Sequence, residues 1–127
     1  MIQILHHHPV GLAAALLASG LITLPAHAQS TTTAAAEAPE LLLDMATLTG
    51  AARVALGPDL PPLYATDDQL AEALVAAGMA MGDPLWRMPL WQPYAEMLKS
   101  RIADVNNAGQ GGFAGSVTAA LFLQRFV

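Results

Sequence analysis

LLLDMATLTGA, residues 41–51, carries the reading of the fold. Leu41-Leu42-Leu43-Asp44-Met45 is a short apolar run without alternation, the pattern of a strand buried on both faces. Strands of that kind belong to parallel sheets and need neighbours on either side. The small residues and hydroxyls of Ala46-Thr47-Leu48-Thr49-Gly50-Ala51 follow, where a strand hands over to a helix or loop. Arg53–Leu56 reads as a first helical turn, stopped by Gly57-Pro58. Beyond Pro61-Pro62, Leu63-Tyr64-Ala65 reads as a second short strand.

Downstream the spacing turns helical. Thr66-Asp67-Asp68-Gln69 matches a capping box, with Thr66 as N-cap and Gln69 at the third helical position. Two aspartates in that first turn suit the positive end of the helix dipole. Leu70, Leu74, Ala77 and Met81 continue the face, and Gly82-Asp83-Pro84 ends it. A second helix is expected from Pro93, with Tyr94, Met97, Leu98, Arg101, Ile102 and Val105 on one face and Asn106-Asn107 at its end. A third follows the glycine-rich loop Gly109–Gly115, capped by Ser116, and Val117–Val127 is apolar nearly all round, as a buried helix is. Strands alternating with helices place the chain in the α/β class.

Upstream lies a different kind of sequence. Val10–Leu24 is an uncharged apolar run, followed by Ala26-His27-Ala28, the small-x-small pattern of a signal-peptidase site before Gln29. The run would rise about 22 Å as a helix, short of the roughly 30 Å of a bilayer core, so a cleaved export signal over 1–28 is expected rather than a stable membrane anchor. The segment before it contains no Lys or Arg; the terminal amine and His6, His7 and His8 are its sources of positive charge. Consecutive histidines cannot all point one way, and no carboxylate accompanies them, so they are not read as a metal site. Residues 29–39 are polar and small, and read as a linker to a body spanning 40–127. With the leader the destination is export or the periplasm; without it, the cytoplasm.

Composition narrows the chemistry. Of the 127 residues 54% are hydrophobic and 12% charged, with a net charge of −5, so disorder throughout is not expected. The five bases are scattered singly among apolar residues, which discounts nucleic-acid binding by phosphate neutralisation. There is no cysteine, hence no disulfide, thiolate site or cysteine nucleophile. Gly109-x-Gly111-x-x-Ala114 satisfies a loose dinucleotide fingerprint, but an amphipathic segment precedes it where a strand is required. Ser100 and Ser116 have no histidine base in the body and lie in no nucleophile-elbow motif. Asp44 and Asp104 are each embedded in apolar sequence and read as structural hydrogen-bonders, since no second acid stands at ligand spacing. Trp86 and Trp91, flanking residues 87–90, offer a binding surface, but buried packing between two helices is the commoner fate of such a stretch and is the expectation. Spacing and chemistry alone therefore show no complete catalytic site.

Four blocks, in order, point to a family. Asp44-Met45-Ala46-Thr47-Leu48-Thr49-Gly50-Ala51 with Val54-Ala55-Leu56-Gly57 resembles the D-L-A-T-L-T-G-A…V-A-L-G segment of leucyl (cytosol) aminopeptidases. Trp86-Arg87-Met88-Pro89-Leu90-Trp91 resembles W-R-L-P-L-W, and Leu98–Asp104 resembles L-K-S-x-I-A-D. Ala114–Leu123 resembles A-G-x-x-T-A-A-x-F-L. The resemblance implies part of a mixed-sheet, helix-flanked catalytic domain over 40–127. Family members are hexameric enzymes that remove N-terminal residues from peptides with two divalent metals, zinc, manganese or magnesium, which activate a bridging water.

The same resemblance implies which residues carry function here. The family's metal ligands and catalytic arginine come from an upstream lysine and aspartates and from an N-T-D-A-E-G-R block, and no such block occurs in this chain. No catalytic residue and no metal ligand is therefore expected. The substrate-side loop is present: Thr47, Leu48 and Gly50 would line the cleft, the Leu48 carbonyl and Gly50 amide meeting peptide backbone, and Ala119 would approach the first side-chain pocket. The expectation is a truncated aminopeptidase that is inactive alone. The alternatives are an exported peptide-binding module and one part of a split enzyme. A body shaped to bury against absent parts is also expected to be partly folded or prone to aggregate.

Overall fold

The computed structural model describes residues 2–7, 39–107 and 112–126. The apolar run, the cleavage pattern, the linker up to Ala38, His8 and residues 109–111 of the glycine-rich loop lie outside these residues.

Four strands form one mixed sheet in the order β2-β1-β3-β4, where β1 is Ile2–His7, β2 Leu41–Met45, β3 Pro62–Ala65 and β4 Trp86–Arg87. β1 runs antiparallel to β2, pairing Ile2 with Met45, Gln3 with Asp44 and Ile4 with Leu43 before the register shifts ahead of His6. On its other edge β1 runs parallel to β3, with Ile2 opposite Leu63 and Ile4 opposite Ala65. β3 and β4 are parallel. The leader reading and the sheet thus use the same residues, because Ile2–His7 is an interior strand of the described sheet.

β2 is a strand, as its composition requires, but its surroundings differ from the expectation of burial on both faces. It lies at the sheet's edge beside an antiparallel neighbour, and Leu41, Leu43 and Met45 are 42%, 48% and 80% exposed. The strand buried on both faces is β3. Leu63 and Tyr64 are wholly inaccessible and point to opposite faces, as consecutive strand residues must. Leu63 packs with Ala71, Leu70, Leu74, Val75 and Leu85 on one side. Tyr64 packs with Leu98, Val117, Ala120 and Leu121 on the other. Burying a leucine-sized side chain stabilises by roughly 2 kcal/mol, so these two residues anchor both layers.

Among the described residues three α-helices flank the sheet: α1 (Ala51–Leu56), α2 (Asp68–Met81) and α3 (Gly115–Gln124). α2 is capped by Asp67 and not by Thr66. Asp67 is extended, and its carboxylate accepts from the Leu70 amide at 2.7 Å. A charged acceptor at the positive end of the dipole prevails over a hydroxyl one residue earlier. The stop falls at Gly82-Asp83 as expected: Gly82 is left-handed (φ 74°), and the Asp83 amide donates to the Gly78 carbonyl at 2.9 Å. That return brings the Asp83 carbonyl within 2.5 Å of where a Cβ on residue 78 would stand, so only glycine fits there.

The helix expected from Pro93 to Val105 is a correction. A 3-10 helix, Gln92–Leu98, occupies its first half, and residues 99–107 are irregular. The Ser100 hydroxyl accepts from the Ile102 and Ala103 amides at 3.3 and 3.2 Å, a local alternative to helical bonding. Leu98 alone of the expected face is fully buried, and Ile102 is 98% exposed. α3 is buried as expected, but Ser116 is not its cap. Ala114 holds that position in the left-handed region (φ 56°), and Ser116 is inside the helix, accepting from the Tyr64 hydroxyl at 2.7 Å. Trp86 and Trp91 are more than half exposed, and Asp104 is exposed; none of the three is the buried packing or embedded hydrogen-bonder its sequence context suggested.

Candidate functional site

The loop from β2 to α1 carries three of the four residues implied to meet substrate. Thr47, Leu48 and Gly50 are exposed, and Thr49 between them is half-buried. Local bonds set its shape. Thr49 Oγ1 accepts from the Ala51 amide at 3.1 Å, and the Gly50 carbonyl accepts from the Val54 amide at 3.1 Å, which opens α1. α1 closes at Gly57, whose φ of 81° suits glycine and whose amide donates to the Arg53 carbonyl at 2.9 Å.

The turn after Gly57 folds back towards the loop. Between them lies a cleft of about 370 Å³, walled by residues 46–50, Ala52 and Arg53 on one side and Gly57, Pro58, Leu60, Pro61 and Pro62 on the other. Thr47, Leu48 and Gly50 are brought together in this wall. Ala119 is not among the lining residues; it is half-buried on α3. α3 reaches the loop through its first residue: a Cβ on Gly115 would stand 2.9 Å from Ala51 Cβ and 3.7 Å from Thr49 Oγ1. Glycine at 115 therefore lets the buried helix brace the exposed loop.

Two features escaped the sequence reading. Arg53, read from sequence only as part of a helical turn, is the cationic residue among those lining the cleft, a placement that depends on the turn of α1. The Tyr64–Ser116 hydroxyl pair ties β3 to α3 inside the core, and burial raises the Tyr64 phenol above its ordinary value of 10.0, with the Ser116 hydrogen bond opposing. Neither signal is local in sequence.

The described residues do not fit a two-metal centre. Among them no three of His, Cys, Asp and Glu converge. Asp44 Oδ2 is buried without a hydrogen-bond partner among the described residues, yet one carboxylate cannot hold two metal ions. No step through a metal follows for these residues. Among the described residues, no helix is long and apolar enough to cross a membrane.

Residues 20–127 match the model of the cytosol aminopeptidase family, catalytic domain. A probable cytosol aminopeptidase of Chlorobium phaeobacteroides is 54% identical over 89 residues, which are 70% of this chain and 18% of that protein. A crystal structure of the cytosol aminopeptidase from Coxiella burnetii matches with a TM-score of 0.58 and 59% identity, over 62% of this chain and 17% of that one. The bottromycin maturation enzyme BotP, solved in complex with Mn, matches with a TM-score of 0.58 and 38% identity, over 62% and 17% of the two chains. This chain thus spans less than a fifth of the length of the relatives it matches.

Proposed function

The chain belongs to the cytosol aminopeptidase family, and from that premise we propose that its own share of peptide hydrolysis is to hold substrate backbone, not to cleave it. The observation that carries the reading is the cleft wall: Thr47, Leu48 and Gly50 sit together on an exposed loop braced from behind by α3. An extended peptide laid along such a loop exchanges hydrogen bonds with its backbone, the Leu48 carbonyl and the Gly50 amide serving as acceptor and donor. Contacts of this kind position a scissile bond but supply neither nucleophile nor charge stabilisation. The two metals of the family reaction would have to be held by residues other than those described. A leucyl-p-nitroanilide assay with manganese tests this: no chelator-sensitive turnover is expected from the purified chain, while Leu-Gly-Gly should perturb the amide resonances of residues 47–50. Turnover that co-purifies with the chain and is abolished by chelator would overturn it.

A second reading, one part of a split aminopeptidase, is favoured by the bare apolar face of β2. Leu41, Leu43 and Met45 are exposed in a row at the sheet's edge, where a further piece of the domain would cover them. Co-purification of a companion chain bearing the metal ligands, with activity restored on mixing, is its signature. The cytosol in the relatives' names favours a cytoplasmic home, and an export signal over 1–28 would redirect the chain. Recovery of the intact N-terminus from the cytoplasm would decide for the first.

A further inference from the structure

The cleft has a sign. Apart from Arg53 the residues lining it are apolar or hydroxylic, and no carboxylate is among them. Asp59, between the lining residues Pro58 and Leu60, is exposed and is not part of the wall. The ion pairs among the described residues join Arg87 to Asp68 and Lys99 to Glu96, so Arg53 is not spent on a partner there. An exposed arginine among the residues of an otherwise uncharged cleft, in a chain of net charge −5, is a local reversal of the molecule's field.

We infer that Arg53 is a specificity residue of this cleft, selecting peptides that carry a carboxylate beyond the backbone held by the loop. The planar fork of arginine accepts a carboxylate through two parallel N–H bonds, which a neutral amide cannot reproduce. The carboxylate is either the C-terminus of a short peptide or an acidic side chain. Both present the same chemistry, and Arg53 belongs to the wall that also contains Thr47, Leu48 and Gly50. The inference rests on the peptide-holding reading of that loop, and it adds the class of peptide held.

The test is calorimetric titration of the full 127-residue chain with Leu-Gly-Gly, its C-terminal amide, and Leu-Glu-Gly-amide. At least one carboxylate-bearing peptide should bind roughly three- to tenfold more tightly than Leu-Gly-Gly-amide, the range of a partly exposed charge-assisted contact. The gain should shrink in high salt. Arg53→Gln should erase it with no change in melting temperature, because the residue is exposed, and Arg53→Lys should retain part of it. Preference for the free acid alone would identify the C-terminus as the source, and preference for the glutamyl amide alone would identify the side chain. Equal affinities for all three peptides, or a gain that survives Arg53→Gln, would overturn the assignment and leave the loop's peptide binding intact. Failure of every peptide to bind would overturn both.

Discussion

Gly115 has no side chain, and that absence sets the distance between a buried helix and an exposed loop. A methyl group there meets Ala51 Cβ at 2.9 Å, closer than two carbons tolerate, so α3 or the loop must move. Gly115→Ala is expected to lower stability by about 1–3 kcal/mol and to weaken Leu-Gly-Gly binding, measured by urea unfolding and titration on the same preparation. Binding unchanged despite lost stability would mean that α3 does not position the loop. Tyr64 makes a second residue-scale prediction. Burial raises its pKa in the folded state, so the folded protein favours the neutral phenol. The sign follows: this contribution is fully present below the ordinary value near 10 and is lost as pH rises through the higher folded value. Unfolding should therefore become easier above pH 10, and Tyr64→Phe should flatten that alkaline limb. At neutral pH the same substitution should cost about 1 kcal/mol through the lost bond to Ser116. An alkaline limb of the same slope in both proteins would show that other groups govern it.

At the scale of elements, β1 asks how residues that read as a leader come to sit in a sheet. Ile4 is paired on both sides, opposite Leu43 in β2 and Ala65 in β3. A proline there removes an amide donor and cannot continue an interior ladder. Ile4→Pro is expected to detach β1 and broaden or abolish the cooperative melt, followed by circular dichroism. A sharp melt at the native temperature would mean that β1 does not contribute to stability. Asp67→Ala should cost about 1 kcal/mol in the same experiment as α2 loses its cap. These elements also show what the sequence could and could not say. β2, β3, α2 and α3 were legible because composition, prolines and Gly82 mark them locally. β1 was not, since six residues next to an apolar run look like part of it, and their role exists only once β2 and β3 stand on either side. The helix expected after Pro93 failed for the converse reason. Its periodicity was real, but the Ser100 hydroxyl offers the amides a competing partner, and nothing packs on Ile102 to reward the helix. In the cleft, the loop was legible from its motif. Arg53 was not, because which way a helical residue faces depends on where α1 begins and ends.

At the scale of the molecule, the decisive quantity is apolar surface left in water. Leu41, Leu43 and Met45 form a stripe on an edge strand of the described sheet, and Leu48 and Val54 are also 52% and 90% exposed. An edge strand presents unpaired amides and carbonyls along its free side, and this one has no charge on its exposed face. Asp44, the charged residue within β2, alternates to the other face. Both driving forces for association therefore coincide on one strand: backbone groups unpaired among the described residues, and unburied side chains. The chain alone should associate with itself in a concentration-dependent way, detected as a rise in weight-average mass by light scattering. Leu43→Lys places a charge at the middle of the stripe, where the side chain is already half in water, so folding should change little while association is suppressed. Suppression by this variant, with the melting temperature kept, would assign the association to β2. Association that persists at full strength would place the contact elsewhere, and the case for a companion piece seated on this face would lose its support.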